Sequence, residues 1–524
     1  MKNLIKRLVP GIFIVLFLVT TITGCTQKTT SNDGGTSNSD TASTRTVNGV
    51  DISKFTELKM YLIGDKPTDA DMVYQELNKL IERDLNAKLN VDFLAFSDYT
   101  QKYPLVLASG EDVDLIYTST WCFYAQEATK GAFVEITEDL LKKYMPMTYE
   151  KQPGVSFEQG KINGKTYFVP NNLAGIAGSV VVIRGDLREK YNIPQIKTLD
   201  DLKMYYEAVA KNEKGIFPYA ASQNNNEMKV IAFYQKYDVV RLNGVNDDYA
   251  YIYTEGDVNA DTVKWIYDMP EYLEFLKEMK AWADMGFWSK NAIANSTQPR
   301  DAFENGTSAS LVWNLGTVGN SARKVNQSNP DWKPEIYDVN PGAVHTKGLY
   351  TGDGMAVVAT SKNIERSFLL LDRLKFDQEY YELFRFGIKG KHWEAVGADM
   401  WRPAADQNNY PFGGGGTWGV KNELFEKRRE DELPVERAIY EDWKSKVDNW
   451  KFPYEGFIFD DSKVKNEVAA LNSLKAKYIY LLELGLVDDV EKTLAEFKAE
   501  AIKAGKEKID AELRRQLEDY LKNR

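Results

Sequence analysis

The sequence predicts an α/β fold with a largely parallel, doubly wound sheet, followed by a helical C-terminal region. Two patterns predict it. Short apolar strands alternate with amphipathic helices through the first part of the chain, and apolar residues recur at helical spacing near the C-terminus. Because 524 residues are too many for one hydrophobic core, roughly two or three core-sized units are expected.

The first 25 residues have the pattern of a bacterial lipoprotein signal. Lys2, Lys6 and Arg7 precede an apolar run at residues 8–19, and Gly24-Cys25 completes a lipobox-like ending. The run is shorter than the roughly 20 residues that cross a bilayer. We therefore expect residues 1–24 to be removed as a signal peptide and Cys25 to be lipidated. The alternative is an ordinary secretory signal with a chance cysteine.

The remaining elements are predicted in chain order. Residues 25–55 are predicted to be a disordered tether, because they are polar and contain few apolar side chains before residue 47. Strands are predicted at residues 58–63, 89–95, 113–117, 133–136, 308–313 and 355–359. Helices are predicted at residues 69–86, 102–108, 200–210 and 272–282, from Ser361 to about residue 386, and at residues 464–474, 490–502 and 509–517.

Composition excludes several classes of function. The formal net charge is −11, so a nucleic-acid partner is not expected, and attraction to anionic lipid headgroups is not expected either. Lipidation of Cys25 would leave Cys122 as a single, semi-buried thiol without a disulfide partner. Two histidines argue against a His-rich zinc site and a Ser-His-Asp centre. We expect no metal, no cofactor and no catalytic residue, although 77 acidic residues leave a glycosidase-like carboxylate pair open.

Several segments together resemble one known family. Residues 112–139 (DVDLIYTSTWCFYAQEATKGAFVEITED) resemble the first lobe of bacterial extracellular solute-binding proteins of the carbohydrate type. Residues 163–170, 181–210 and 350–376 are similar to that family's hinge, the element after it and the return to the first lobe.

The C-terminal part narrows the resemblance to a subgroup. Residues 386–394 (FGIKGKHWE) and 456–459, with the helices that follow, resemble the long LplA-like lipoproteins, which have an extra C-terminal domain of unknown function. Lys389, where that subgroup commonly has an acid, and Trp393, where it commonly has Tyr, depart from the pattern.

The resemblance implies a two-lobed, periplasmic-binding-protein-like fold of type II with a helical C-terminal extension. Lobe 1 would comprise residues 56–170 and about 346–378, lobe 2 residues 171–345 and about 379–460, and the helical region residues 461–524. The lipobox-like ending at Cys25 and the low cysteine count favour a lipid-anchored protein on the extracellular face of a Gram-positive cell membrane, with a Gram-negative lipoprotein as the alternative. The resemblance further implies a receptor, which we expect to be a monomer. Such a receptor captures an oligosaccharide between the lobes and delivers it to the permease subunits of an ABC importer.

A sugar-binding cleft needs aromatic faces for the C–H surfaces of the ring, and amides or carboxylates for its hydroxyls. Ligands of doubly wound sheets bind beyond the carboxyl ends of the strands. The candidates are Asp65, Ser119 and Trp121 after strands; Asn171, Asn172 and Asn224 in amide-rich segments; Trp313 and Asn314, by position in the resemblance; Asp353 between two glycines; and His392, Trp393 and Trp401 at the predicted rim of lobe 2. Each has an ordinary alternative role in packing, in a turn or on a solvated surface.

Other interpretations remain open at this point. An exported polysaccharide-degrading enzyme would also need aromatic and acidic residues, and a peptide-binding surface lipoprotein is a further alternative. Arg184 and Arg402 would favour a uronate-containing sugar if they face the cleft. The four glycines at residues 413–416 are predicted to form a turn, because neither a preceding strand nor a following Lys-Ser/Thr marks a phosphate loop. The C-terminal helices would support lobe 2 or contact the permease.

Overall fold

The computed structural model describes residues 45–222, 227–242, 248–253, 259–447, 449–455 and 457–522. The predicted signal peptide, Cys25 and most of the predicted tether lie outside this part of the chain. Residues 45–524 form one compact unit of their own. Among the described residues, no helix is both long enough and apolar enough to cross a membrane.

The secondary structure of the described residues alternates between short strands and helices. The strands are β1 Thr46–Val47, β2 Val50–Asp51, β3 Thr56–Ile63, β4 Ala87–Leu94, β5 Leu115–Thr118, β6 Lys161–Ile162, β7 Lys165–Thr166, β8 Val169–Pro170, β9 Ile176–Ala177, β10 Val180–Arg184, β11 Val239–Arg241, β12 Tyr249–Ile252, β13 Lys264–Trp265, β14 Ser310–Trp313, β15 Pro334–Tyr337, β16 Thr346–Lys347, β17 Gly354–Val357, β18 Trp393–Val396, β19 Met400–Pro403 and β20 Arg428–Arg429. The α-helices are α1 Ala70–Leu85, α2 Tyr99–Ala108, α3 Tyr124–Thr129, α4 Glu138–Tyr144, α5 Pro146–Lys151, α6 Gly154–Glu158, α7 Gly185–Lys190, α8 Leu199–Asn212, α9 Pro270–Asp284, α10 Pro299–Glu304, α11 Leu315–Ser328, α12 Ile364–Phe376, α13 Gln378–Phe386, α14 Pro434–Val447, α15 Lys465–Glu483, α16 Val490–Lys503 and α17 Lys506–Lys522.

Lobe 1 is built on a five-stranded sheet with the order β4-β3-β5-β17-β8. Strand β3 is parallel to β4 and β5, whereas β17 is antiparallel to both β5 and β8. Gly354 at the start of β17 pairs with both Thr118 and Pro170. The ends of β3, β4, β5 and β8 and the start of β17 therefore meet at one edge, which we call the carboxyl edge.

Lobe 2 is built on an antiparallel sheet with the order β14-β10-β15. Alternate residues of β10 point to opposite faces, as the two-residue repeat of a strand requires. Val181 and Ile183 join the core that contains α8 and α9, while Val180 and Val182 join the core of α11 and α14. The α/β class is confirmed, but a largely parallel sheet was expected, and in the lobe 1 sheet only the neighbours β4, β3 and β5 are parallel.

Three local predictions were wrong. Residues 45–55 are not part of a tether, because β1 and β2 form a hairpin and Ile52 is fully buried. Phe133 makes only an isolated bridge with Val358, so residues 133–136 are not a strand of the sheet. The helix predicted through residue 386 breaks at Asp377, whose extended backbone ends α12 and whose side chain caps α13.

The predicted assignment of residues 379–460 to lobe 2 is also corrected. Tyr381, Phe384 and Tyr410 share the hydrophobic core of β3 and β5 in lobe 1. Helix α14 then returns to lobe 2, where Trp443 packs against the core of α11. The chain therefore passes between the lobes three times, and β9 and β16 pair antiparallel in two of these crossings.

The C-terminal helices α15, α16 and α17 pack on lobe 2. Leu471, Phe497 and Leu513 belong to the same hydrophobic core as α9 of lobe 2. The Trp265 ring of lobe 2 stacks on Phe497, with ring centroids 5.5 Å apart. Of the two roles considered for this region, support of lobe 2 agrees with this packing.

Candidate functional site

Five aromatic side chains are connected at the carboxyl edge of lobe 1, and we call this group the aromatic platform. Its members are Phe96, Tyr99, Tyr117, Trp121 and Trp418. Ring centroids are 6.1 Å apart for Phe96–Tyr99 and Tyr99–Trp121, 5.6 Å for Tyr117–Trp121, 5.9 Å for Tyr117–Trp418 and 6.2 Å for Phe96–Trp418. Phe96 and Trp121 are 46% and 45% exposed, so the platform offers flat apolar surface to a ligand.

Trp121 is held in a fixed orientation. It lies in the turn after β5, where the backbone N–H of Cys122 donates to the carbonyl of Ser119. The indole Nε1 donates a hydrogen bond of 2.8 Å to the carbonyl oxygen of Gly352, the residue before Asp353. A side chain that is anchored at its polar end and exposed on its face loses little conformational freedom when a sugar stacks on it.

Trp418 reaches the platform because the glycine turn packs tightly on β3. Gly416 has a φ of +75°, and a Cβ there would lie 2.6 Å from the carbonyl oxygen of Ile63. Only glycine fits this conformation and this approach. The turn predicted at residues 413–416 thus carries Trp418 onto Phe96, with only 6° between their ring planes.

Polar side chains border the platform. The Tyr117 hydroxyl donates a 2.6 Å hydrogen bond to Asp353 Oδ1, and the Lys421 ammonium lies 3.4 Å from Asp353 Oδ2. Burial raises the pKa of Tyr117 well above its ordinary value, so the phenol remains a donor. Asp65 is exposed directly after Gly64, which lies against Phe96 and Trp418.

The two asparagines that follow β8, Asn171 and Asn172, have different hydrogen-bond partners. Asn171 is buried, donates through Nδ2 to Asp353 Oδ2 at 3.4 Å, and has no hydrogen-bond partner for its Oδ1 within the described structure. Asn172 is tied to a crossing segment, because its Nδ2 donates to Asn422 Oδ1 at 2.9 Å and its Oδ1 accepts from the Glu423 N–H. Ser119 is fully buried beneath the platform. The Ser119 hydroxyl, like Asn171 Oδ1, has no hydrogen-bond partner within the described structure, but Ser119 has no exposed surface. Asn171 therefore remains a candidate, whereas Asn172 joins two segments of the fold.

His392, Trp393 and Trp401 are not at the rim of lobe 2, as was predicted, but in the core of lobe 1. The three side chains are 0–2% exposed. His392 Nδ1 accepts from the Ile388 N–H at 2.9 Å and its Nε2 lies 3.1 Å from Asp69 Oδ2, an interaction that lowers the pKa of Asp69. A ligand in the cleft cannot reach these buried rings.

The lobe 2 candidates lie at the end of β14. Trp313 is half-buried and pairs with Val180 at the start of β10, close to the crossing strands. Asn314 caps α11, since its Oδ1 accepts from the Thr317 N–H at 3.0 Å. Trp313 thus keeps its candidate role, and Asn314 performs the ordinary role of a helix cap. Asn224 lies outside the described residues.

Two arginines considered for uronate binding already have carboxylate partners. Arg184 makes two hydrogen bonds to Asp186, at 2.6 and 2.8 Å, and lies 4.0 Å from the Trp332 ring centroid. Arg402 pairs with Glu394 at 2.5 Å. Cys122 is a free, buried thiol whose pKa burial raises to about 12, so it is not poised as a nucleophile.

Sequence reasoning missed Phe96, Tyr99, Lys421 and Trp418. Phe96 lies two residues after the end of β4, so the rule that selected Asp65 and Trp121 would also have found it. Trp418 and Lys421 come from a distant segment, and only the fold brings them to the carboxyl edge.

Comparison with known proteins agrees with this architecture. Residues 31–376 match the family described as bacterial extracellular solute-binding protein, and residues 453–522 match a domain of unknown function, DUF3502. A carbohydrate ABC transporter substrate-binding protein of Streptococcus pneumoniae is 25% identical over 477 residues, which cover 89% of this chain and 91% of that protein.

Solved structures show the same fold. The N-glycan transport solute-binding protein NgtS of S. pneumoniae, in complex with Man1GlcNAc, has a TM-score of 0.69 and 22% identity, covering 89% of this chain and 100% of that one. The alginate-binding protein AlgQ2 without calcium ion has a TM-score of 0.64 and 17% identity, covering 89% and 98%. The match over residues 31–376, with two lobes joined by crossing strands, shows that this chain belongs to the bacterial extracellular solute-binding proteins.

Proposed function

We propose that the protein is a lipid-anchored receptor that captures an oligosaccharide between its lobes and delivers it to an ABC importer. The exposed aromatic platform at the carboxyl edge carries this proposal. In a member of this family, an apolar stacking surface next to Asp65, Asp353 and Asn171 has the chemistry that a neutral sugar needs. The sugar's C–H face would pack on Trp121, and its hydroxyls would donate to the carboxylates.

Capture would proceed by closure of the lobes about the β9–β16 crossing. A ligand that contacts both lobes only in the closed form shifts the population toward that form by its differential affinity. Lobe 1 contributes the platform, and Trp313 at the end of β14 is the aromatic candidate on lobe 2. The importer's permease subunits would recognise the closed receptor, which we propose acts as a monomer.

Mannose- and N-acetylglucosamine-containing oligosaccharides are the first ligand class to test. NgtS, whose fold this chain shares, has been crystallised with Man1GlcNAc and with Man5GlcNAc. Arg184 and Arg402 each already have a carboxylate partner, Asp186 and Glu394 respectively, which favours a neutral sugar over an acidic one.

A panel of oligosaccharides tests this function on residues 45–524. A ligand at 100 times its dissociation constant should stabilise the protein by about 2.7 kcal/mol in a thermal-shift assay. Mass spectrometry of the same samples should recover the ligand intact, whereas new reducing ends would support the polysaccharide-degrading alternative. A shift with peptides and with no sugar would support a peptide receptor.

The lipid anchor is tested separately in cells. Cys25, in its lipobox-like setting, should incorporate labelled palmitate. The lipid should keep the protein in the membrane fraction of the cells, exposed on the extracellular face. A Cys25→Ala variant should lose the label and appear in the medium. Equal labelling of the wild-type protein and the Cys25→Ala variant would contradict anchoring at Cys25.

A further inference from the structure

Buried charges join the C-terminal helices to lobe 2. Glu483 at the end of α15 lies 2.7 Å from the Lys229 ammonium, and Lys475 on the same helix lies 2.6 Å from Asp248. The four side chains are only 15% exposed or less. We call these four residues the interdomain charge cluster. In each pair, one residue belongs to lobe 2 and the other to helix α15.

Tyrosines of lobe 2 complete the cluster. The Tyr272 hydroxyl donates to Glu483 Oε1 at 2.7 Å, and the Tyr267 hydroxyl donates to Asp248 Oδ1 at 2.7 Å. The Lys229 ammonium also lies 5.4 Å from the Tyr272 ring centroid. Removing the Glu483 charge would take from the buried Lys229 ammonium its carboxylate neighbour at 2.7 Å, so the position of Lys229 depends on Glu483.

Lys229 belongs to an unusual segment of lobe 2. It directly precedes a π-helix at Val230–Tyr234, a rare conformation that is common near functional sites. Glu227 Oε2 accepts from the Ser179 hydroxyl at 2.7 Å, and Gln235 Oε1 accepts from the Ser179 N–H at 2.8 Å. The two ends of residues 227–235 therefore both bind Ser179, which lies between crossing strand β9 and β10.

We infer that the C-terminal domain holds residues 227–235 and the crossing strand in the position that ligand capture requires, with Glu483 as the positioning residue. The path runs from Glu483 to Lys229, along the π-helix, and through Glu227 and Gln235 to Ser179. This gives the domain of unknown function a role inside the receptor. The part concerned with ligand affinity rests on the proposed function.

Glu483→Gln tests the inference, with Lys498→Gln as the matched control. The control removes another charge of the C-terminal domain, whose 2.9 Å pair with Asp268 is partly exposed and lies outside the cluster. In hydrogen-exchange mass spectrometry of residues 45–524, Glu483→Gln should speed exchange in peptides covering residues 227–242, and the control should not. Glu483→Gln should also weaken glycan binding at least about fivefold, as coupling between sites typically does.

Two further variants keep the test decisive if Glu483→Gln does not fold. Tyr272→Phe removes one hydrogen bond to Glu483 without removing a charge, and should give a smaller change of the same kind. Combining Lys229→Met with Glu483→Gln removes both charges, and should recover part of the protection in residues 227–242. Unchanged exchange there in Glu483→Gln overturns the inference, and if that variant does not fold, unchanged exchange in Tyr272→Phe overturns it.

The exchange measurement needs no ligand, so it separates this inference from the proposed function. If the wild-type chain binds no glycan, the proposed function fails, while exchange still decides whether the C-terminal domain holds residues 227–235. If exchange changes but the dissociation constant does not, the positioning role in capture is refuted. If Glu483→Gln instead loses import while exchange and affinity stay unchanged, the domain would be assigned to contact with the permease. That result would also refute the positioning role.

Discussion

Replacing Trp121 by alanine should remove a stacking surface for the sugar. Trp121 is 45% exposed, and a tryptophan side chain offers roughly 250 Å² in all, so about 110 Å² is available to a ligand. If a sugar ring covers half of that area, the lost burial corresponds to about 1.4 kcal/mol at roughly 25 cal/mol per Å². The dissociation constant should therefore rise about tenfold.

Isothermal titration calorimetry with the best ligand of the panel measures this change. Phe55→Ala is the matched control, because Phe55 is 46% exposed but precedes β3 at the opposite edge of the same sheet. Trp121→Phe keeps a ring and loses the Nε1–Gly352 hydrogen bond, so it should bind with intermediate affinity. Equal affinity of the wild-type and Trp121→Ala proteins would refute the role of the platform.

Three further predictions concern polar and titratable groups. Asp353→Asn should weaken sugar binding about tenfold in the same titrations, because a neutral amide accepts hydroxyl hydrogen bonds less strongly than a carboxylate; unchanged affinity would place Asp353 outside the site. Lys375 is fully buried and its pKa is lowered to about 7 by burial. Since the unfolded chain keeps that proton up to about pH 10.5, Lys375 should make the free energy of unfolding increase from pH 7 to 10.5, and urea titrations of Lys375→Met should lack this contribution. Cys122 should react with a thiol reagent only after denaturation, and rapid reaction of the folded protein would contradict its burial.

The sequence predicted the α/β class and most elements, because local periodicity determines which residues can bury a strand or helix face. Two local signals were overlooked. Asn48-Gly49 is a favoured hairpin turn and lies between β1 and β2, with positive φ at both residues. Asp377 is a good N-cap residue, and it separates α12 from α13.

The site was only partly predictable, since strand ends can be read locally but the partners of a distant segment cannot. The strand-end rule selected Trp121, which belongs to the aromatic platform, and Asp65, which borders it. Trp418 depends on a close approach between Gly416 and β3 that no local pattern indicates. His392 and its neighbours were assigned to the wrong lobe, because their polar and aromatic character suits a buried core as well as a cleft.

The proposed function depends above all on capture of the sugar by closure of the two lobes. Small-angle X-ray scattering of residues 45–524, with and without a saturating mannose-containing oligosaccharide, tests it most directly. Closure should give a smaller radius of gyration with ligand, and a reduced change when Trp121 is replaced by alanine at the same ligand concentration. Saturable binding that leaves the radius of gyration of the ligand-free protein unchanged would show that the ligand binds without closure, and would contradict capture between the lobes.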